Sequence, residues 1–372
     1  MPPPKQSSES SSDTGDAVRL YHLAGQQQKA GRVAQAISLY RELLRMAPRH
    51  LAAMAALAIL LEGQGSKEEA RVLGRRRTGL EAQNAYAIGK ALAREGQHAR
   101  AVPFFERAIG LKPDYLKATW RLGEAFSHLK RTPEALRCYR RCLELSPDDV
   151  ELHFMIAALG GENAPACAPE AYVRSYFDNY AESFDEHLCE SLDYRGPEIL
   201  FAHARRFLGQ GRARFDILDI GCGTGLAGQK FHGLARSLTG VDLSPGMIAQ
   251  AKARSLYDAL HIAEAVMFLA EAPAGRYDLL IACDSLVYIG DLEPLIAAAV
   301  QALRPGGFFV LSLEKGRAPG FVLQTSGRYA HHPDYLSGLV ADRFRIRAAD
   351  EAVLRREFGA PVVERVYVLE RL

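Results

Sequence analysis

"FDILDIGCGTGLAG" (215–228) decides how the second half of this chain is read. A short apolar run, "FDILDI", is followed by glycine at every second position: Gly221, Gly223 and Gly225. That order predicts a strand, a tight turn and the start of a helix. The stretch also holds a literal G-x-G-x-x-G at Gly223, Gly225 and Gly228, the pattern of a dinucleotide loop. Asp219 stands two residues before Gly221, at the strand end. A pyrophosphate is anionic, and a carboxylate pointing into the turn repels it unless neutralised. The G-x-G-x-x-G also begins two residues late for a dinucleotide site, and a single match of that kind is weak.

A carboxylate at that place suits a ligand with positive charge. S-adenosylmethionine (SAM) carries an ammonium and a sulfonium at this end and no phosphate. Gly221, Gly223 and Gly225 let the backbone approach its methionine part closely. Asp242 ends "SLTGVD" (237–242), where a carboxylate accepts from both ribose hydroxyls. "SPGMIAQA" (244–251) opens a helix with Ser244 as N-cap and Pro245 in the first turn. Leu243 or Met247 is placed to pack on an adenine face, with core filling as the alternative for Met247. Glu264 is placed to accept from the adenine amino group, with a solvated strand-end carboxylate as the alternative. Asp284 closes the fourth strand over the centre of the cleft.

Further strands are expected at "YDLLIACD" (277–284), "GGFFVLSLE" (306–314), "RFRIRAA" (343–349) and "VVERVYVLER" (362–371), with a short one at "HIAEA" (261–265). Strands alternating with helical stretches imply a parallel sheet covered on both faces, with ligands beyond its carboxyl ends. The last two strands form an antiparallel edge.

The first half repeats. Residues 17–50 align with 116–149, matching Leu23 with Leu122, Ala36 with Ala135, Tyr40 with Tyr139 and Pro48 with Pro147. A third copy ends at Pro113 and carries Gly89, Ala101, Phe105 and Ala108. A degenerate copy lies between, marked by Ala70, and "GRRRTGLEA" is expected to break its second helix. Small residues sit where paired helices touch, large ones fill the interface, and proline ends the second helix. This pattern resembles the tetratricopeptide (TPR) repeat. "DVELHFMIAAL" (149–159) is expected to cap the array. The resemblance implies a concave groove for an unidentified protein partner, the alternative being a scaffold that binds nothing.

The expected organisation is a disordered tail at 1–16, repeats at 17–160, a linker at 161–171 and a second domain at 172–372. The chain has 372 residues with 48% hydrophobic and 24% charged side chains. A net charge of +2 gives no overall bias towards nucleic acid or anionic membrane. The arginines at 75–77 and at 137, 140 and 141 read as solvated helix faces. Six scattered cysteines, with no C-x-x-C and no zinc spacing, fit a reducing compartment and no metal site. The first residues hold no secretory signal and no apolar run approaches a membrane span, so the expected location is cytoplasmic.

"LDIGCGTG", "GVDLSPGMI", "YDLLIACDSLVYI" and "LRPGGFFVLSLE" occur in order and together resemble Rossmann-like SAM-dependent methyltransferases over residues 172–372. The resemblance implies a TPR α-solenoid followed by a Rossmann-like, seven-stranded, mostly parallel sheet with an antiparallel last strand, an α plus α/β chain. It implies that Asp219, Gly221, Gly223 and Gly225 contact the methionine portion, Asp242 the ribose and Glu264 the adenine. Asp284 and Leu286 would lie near the transferring methyl. "YVRSYFDNYAESFDEHL" (172–188), "LDYRGPEIL" (192–200), "GRYAHHPDYL" (327–336) and "VLRREFGAPVVERVYVLER" (353–371) resemble more narrowly the bacterial methyltransferases fused to TPR repeats. In related enzymes the first of these segments folds over the cofactor. Tyr180 and Phe184, four apart, could close the pocket or simply pack.

Candidate bases are His187, His331 and Asp284, and each histidine alone reads equally as a surface or packing residue. Tyr329 and Arg328 could orient a substrate. The fourth strand ends "CDSLVY" rather than in the Asp/Asn-Pro-Pro-aromatic run that holds a flipped base, which disfavours DNA as substrate. A small molecule or a protein remains as methyl acceptor. Two other readings stay open: an adaptor whose second domain is structural or only senses SAM, and a nicotinamide-dependent oxidoreductase.

Overall fold

The computed structural model describes residues 9–178, 180–186, 188, 192–209, 214–357 and 360–372. The chain divides between Pro147 and Asp148 into two compact units.

The first unit is helical throughout: α1 (Glu9–Lys29), α2 (Val33–Met46), α3 (Leu51–Gly63), α4 (Lys67–Arg94), α5 (His98–Leu111), α6 (Leu116–His128) and α7 (Thr132–Leu145). Helix α1 begins inside the stretch expected as a tail. Helices α2, α5 and α7 stop two residues before Pro48, Pro113 and Pro147, as the restricted residue ahead of a proline requires. The repeat interlock is steric. A Cβ on Gly89 would stand 2.8 Å from the Phe105 ring, and one on Gly123 would stand 2.7 Å from that of Tyr139. Ala36, Tyr40, Ala101, Phe105, Ala135 and Tyr139 are all buried.

One expectation is corrected. "GRRRTGLEA" does not break a helix, because α4 runs unbroken for 28 residues. Gly74 and Gly79 cost roughly 1 kcal/mol each against alanine, no proline is present, and the surrounding Arg, Leu, Glu and Ala favour helix. Arg75 and Arg77 on this helix pair with Glu68 and Glu81, and Arg76 donates to the Pro48 carbonyl.

The second unit opens with α8 (Val150–Ala158), α9 (Glu170–Asp178), the single turn α10 (Phe184–Glu186) and α11 (Gly196–Arg205). Then follow β1 (Phe215–Ile220), α12 (Leu226–Phe231), β2 (Ala235–Asp242), α13 (Pro245–Ala253), β3 (Ala259–Ile262), α14 (Ala265–Glu271), β4 (Tyr277–Ala282), α15 (Glu293–Ala302) and β5 (Leu303–Glu314). A hairpin of β6 (Phe321–Leu323) and β7 (Tyr329–His331), α16 (Pro333–Val340), β8 (Phe344–Glu357) and β9 (Ala360–Arg371) complete it. Seven strands form one sheet in the order β3-β2-β1-β4-β5-β9-β8. The first five pair in parallel, and β9 runs antiparallel to both β5 and β8.

Strand alternation builds two cores. Leu218, Ile220, Leu280 and Phe309 face α14, α15 and α16, while Ile217, Leu279, Ile281 and Val310 face α11 and α12. The third strand lies two residues earlier than expected, at 259–262, and Glu264 caps a helix instead of ending a strand. Helix α8, expected to cap the repeats, belongs to the second unit: Phe154 packs 4.9 Å from the Tyr172 ring in a cluster with Leu323 and Tyr329. Part of the expected linker is tied to the same unit. The Ala166 carbonyl accepts from the amides of Gly290 and Asp291, each at 2.8 Å, and the Ala168 amide donates to the Tyr288 carbonyl. No described helix is long and apolar enough to cross a membrane.

Candidate active site

Where β1 ends, the chain turns through three glycines with φ of 63°, 54° and 94° at Gly221, Gly223 and Gly225, a conformation that costs other residues strain. A Cβ on Gly221 would lie 2.4 Å from that of Ser285, whose hydroxyl donates to the Ile220 carbonyl at 2.7 Å. The end of β4 is thereby locked against the turn. Asp242, at the end of β2, holds the turn from the other side. It accepts from the Gly223 amide at 2.9 Å through one oxygen and from the Ser244 amide at 2.9 Å through the other. Burial raises its pKa, and these two amides oppose the rise.

Asp219 lies beneath the turn, 1% exposed, and accepts the Tyr257 hydroxyl proton across 2.6 Å. Burial pushes its pKa up to about 7; the tyrosine bond opposes this and the Asp242 charge adds to it. Tyr257 was missed at the sequence level. Its phenol threads a slot left by two glycines: a Cβ on Gly228 would stand 2.1 Å from the phenolic oxygen, and one on Gly240 would stand 2.9 Å from the ring. The last glycine of the apparent G-x-G-x-x-G therefore admits a tyrosine. A glycine inside a strand, such as Gly240, was the available signal for such a close approach.

Ser244 is the N-cap of α13, accepting from the Met247 amide at 3.1 Å. Met247 is buried in the core and Leu243 is half-buried. Glu264 is half-buried and spends one oxygen on the Met267 amide at 2.8 Å, capping α14. Asp284 follows β4 with a φ of 52°, unusual for a non-glycine residue, and its amide donates to Ser312 Oγ at 2.9 Å. Its carboxylate takes Arg355 Nη1 at 2.6 Å. Leu286, beside it, is buried.

The aromatic segment crosses the two loops that carry the glycines and Asp242. Asp178 accepts from Ser244 Oγ at 2.5 Å and from the Gly246 amide at 3.0 Å. Asp185 accepts from Thr224 Oγ1 at 2.5 Å and pairs with Arg254, whose Nε donates to the Thr224 carbonyl at 2.6 Å. Tyr180 and Phe184 have ring centroids 5.2 Å apart, and Phe177 meets Tyr288 at 5.5 Å. Neither tie was foreseen, because both depend on contacts between residues 39 to 69 positions apart.

The histidines separate. His187 lies outside the described residues. His331, expected as a base, is 3% exposed in an aromatic cluster, with Nε2 at 3.0 Å from the Gly290 carbonyl, and burial lowers its pKa. That environment is a packing one and favours the neutral ring. Tyr329 is likewise buried, donating to the Pro165 carbonyl at 2.8 Å, whereas Arg328 stands 3.8 Å from Glu314 beside the Asp284 cluster. Asp219, Asp242, the glycines and Asp284 thus come together at the carboxyl ends of the strands, and His331 does not join them. Among the described residues no cluster with metal-ligand character occurs.

Comparison with known proteins finds two families along the chain. A family model described as "Methyltransferase domain" matches residues 217–307, and one described as "Tetratricopeptide repeat" matches 26–77 and 86–150. A ubiquinone biosynthesis O-methyltransferase of Xanthomonas axonopodis pv. citri is 30% identical over 114 residues, covering 30% of this chain and 48% of the relative. The enzyme of that name from Xanthomonas oryzae pv. oryzae is 28% identical over 139 residues, covering 37% and 54%. The chain spans about half the length of these curated relatives. Among solved structures, the 1,6-didemethyltoxoflavin-N1-methyltransferase of Burkholderia thailandensis is 20% identical, with 56% of this chain and 93% of that one covered at a TM-score of 0.43. The magnesium protoporphyrin IX methyltransferase of Synechocystis PCC 6803 is 16% identical, with 55% and 99% covered at 0.43. The chain joins tetratricopeptide repeats to a methyltransferase domain.

Proposed function

We propose that this protein transfers the methyl group of SAM to a small molecule or a protein, and that its repeats bind a protein partner. The observation that carries the reading is the row of carboxylates at the ends of four neighbouring strands. Asp219 lies on β1, Asp242 on β2, Glu264 after β3 and Asp284 after β4. Asp185 adds a further carboxylate at the glycine turn, beside the start of α12, where a dinucleotide would place its pyrophosphate. The nearby Arg254 is already paired with that aspartate. With Asp219 and Asp242 at the turn and Arg254 occupied by Asp185, the site favours a cation over a phosphate.

In this reading Asp219 and the glycine turn receive the methionine end, Asp242 the ribose hydroxyls, and Glu264 the adenine, with Leu243 and Met247 alongside. Bound SAM supplies an activated methyl on a sulfonium, which leaves as neutral S-adenosylhomocysteine (SAH) when the acceptor's lone pair takes the methyl. The chain contributes orientation and exclusion of water. Phe177, Tyr180 and Phe184 form the apolar cover, and Asp178 and Asp185 fasten it. Asp284 is the candidate group for the acceptor's proton. The two curated O-methyltransferases favour an oxygen as the methyl acceptor.

Calorimetric titration of the full chain with SAH, with NADH in parallel, tests the reading. Micromolar SAH binding with NADH silent is the expected result. NADH binding alone, or binding of neither, overturns it.

A further inference from the structure

The carboxyl ends of the sheet carry a second constellation, on the strands away from the cofactor loops. Asp284 after β4, Glu314 closing β5, Glu364 on β9 and Arg355 on β8 converge there, with Arg355 at its centre. Its guanidinium is 1% exposed. Nη1 lies 2.6 Å from Asp284 Oδ1 and 2.6 Å from Glu364 Oε1, and Nη2 lies 2.5 Å from Glu314 Oε1. A register shift in the β8–β9 pairing falls between Val353 and Arg355. Leu354 and Arg355 are consequently both buried although adjacent in the strand. Such a bulge re-aims a side chain, here turning an arginine inward.

The charges do not balance unless one carboxylate holds a proton. Three acids, Asp284, Glu314 and Glu364, face two guanidiniums, those of Arg355 and the nearby Arg328. Glu364 is completely buried, and burial and the Asp284 charge both push its pKa well up. The neighbouring Asp284 carboxylate thus favours the protonated form of Glu364, so Glu364 is the acid of the three that holds the proton. Glu314 is filled on its other oxygen by Gln324 Nε2 at 2.6 Å. Asp284 remains as the acid that reaches the cleft, its side chain 14% exposed against 10% and 0% for the two glutamates. It is also the strained residue, pinned by Ser312 and followed by Ser285 on Gly221. A buried ionic cluster of this kind contributes little net stability, so its stability does not explain it.

We propose that Arg355 is a positioning residue that sets the Asp284 carboxylate at the point of methyl transfer, where it receives an acceptor presenting an N–H or O–H. The inference rests on the SAM reading above and extends it to the acceptor side. A carboxylate fixed there recognises an amine or a hydroxyl and rejects a carboxylate acceptor.

Sinefungin, the SAM analogue with an amine-bearing carbon in place of the methylated sulfonium, puts an ammonium where the methyl departs. Titrating the full chain with sinefungin and SAH measures the contact without a methyl acceptor. Sinefungin is expected to bind about tenfold tighter than SAH, the scale of one charge-assisted hydrogen bond. Asp284→Asn and Arg355→Met are each expected to bring that ratio close to one. Arg355→Lys, which keeps the charge without the planar fork, is expected to fall between. A wild-type ratio of one, a ratio unchanged in Asp284→Asn, or a ratio unchanged in Arg355→Met and Arg355→Lys overturns the proposal. Should Arg355→Met fail to fold, Asp284→Asn and Arg355→Lys still decide. Failure of the wild type to bind either compound is a different result, because it removes the SAM reading and this inference with it.

Discussion

The Tyr257 hydroxyl donates to Asp219 across 2.6 Å, through a slot that exists only because residues 228 and 240 are glycine. The bond joins the loop before β3 to the base of the glycine turn. Tyr257→Phe leaves the buried carboxyl with the Gly228 amide but without its side-chain donor, which costs about 1–3 kcal/mol and raises the Asp219 pKa further. SAH affinity at pH 7.5 is expected to fall about tenfold by calorimetry. Gly228→Ala forces the phenol out and is expected to weaken binding at least as much. Unchanged affinity in both variants would detach Asp219 from the cofactor.

Asp219 also sets a pH dependence opposite to that of a salt-bridged aspartate. Its folded pKa is about 7, against 3.8 for an ordinary aspartate. Between those values the folded chain holds a proton that the unfolded chain has released, so the stability present below pH 3.8 falls steadily as the pH rises and is lost once it passes about 7. Asp219→Asn is expected to raise the melting temperature most at pH 8, less at pH 5, and to change it little below about pH 3.8. A cationic ligand favours the ionised carboxylate, so SAH binding near pH 6.5 is expected to release protons. Titrations in two buffers of different ionisation enthalpy measure that release.

Asp178 and Asp185 fasten the aromatic segment over the cofactor loops at two separate points. Asp185→Asn weakens the tie to Arg254 and Thr224, and Asp178→Asn weakens the tie to Ser244 and Gly246. Stopped-flow displacement is expected to show SAH leaving several-fold faster from each variant, with the effects adding in the double variant because no residue is shared. An unchanged dissociation rate would mean that the segment does not gate the pocket.

In the repeats, Gly74 and Gly79 lie inside α4, and a Cβ on either would meet open space. Each change to alanine is expected to stabilise the repeat unit by roughly 0.5–1 kcal/mol. Gly123→Val is expected to destabilise it by about 1–3 kcal/mol, because the added carbons meet the Tyr139 ring. Thermal unfolding followed by far-ultraviolet circular dichroism distinguishes the two directions. A loss of stability in the alanine variants would argue for a break in the helix at these glycines.

The strands that carry the cleft were legible because they are buried on both faces and are mostly apolar, as "FDILDI" and "YDLLIA" are despite Asp216, Asp219 and Asp278. The third strand was misplaced because "ALHI" is a short, half-exposed edge strand with no such run. Asp219, Asp242 and the glycines could be read from chemistry at fixed spacing within one turn. Arg355 could not, because its inward turn depends on a register shift against β9 and its partners come from two other strands and the loop after β4. His331 misled for a related reason: an imidazole in the sequence does not disclose whether a ring of aromatics will enclose it. Tyr257 had a visible trace in Gly240, whose meaning required knowing which ring lay opposite.

The unbroken α4 leaves the array without a joint where the repeat pattern expects one. The second helix of one repeat and the first of the next are a single rod, so whatever lies on either side of residues 67–94 keeps a fixed rotational phase. Removing one residue from the rod would turn everything beyond it by about 100° and draw it in by about 1.5 Å. A loop at the same place would absorb that deletion. The surface these helices present is therefore set in angular steps, and in this stretch evolution can vary its side chains far more freely than its length.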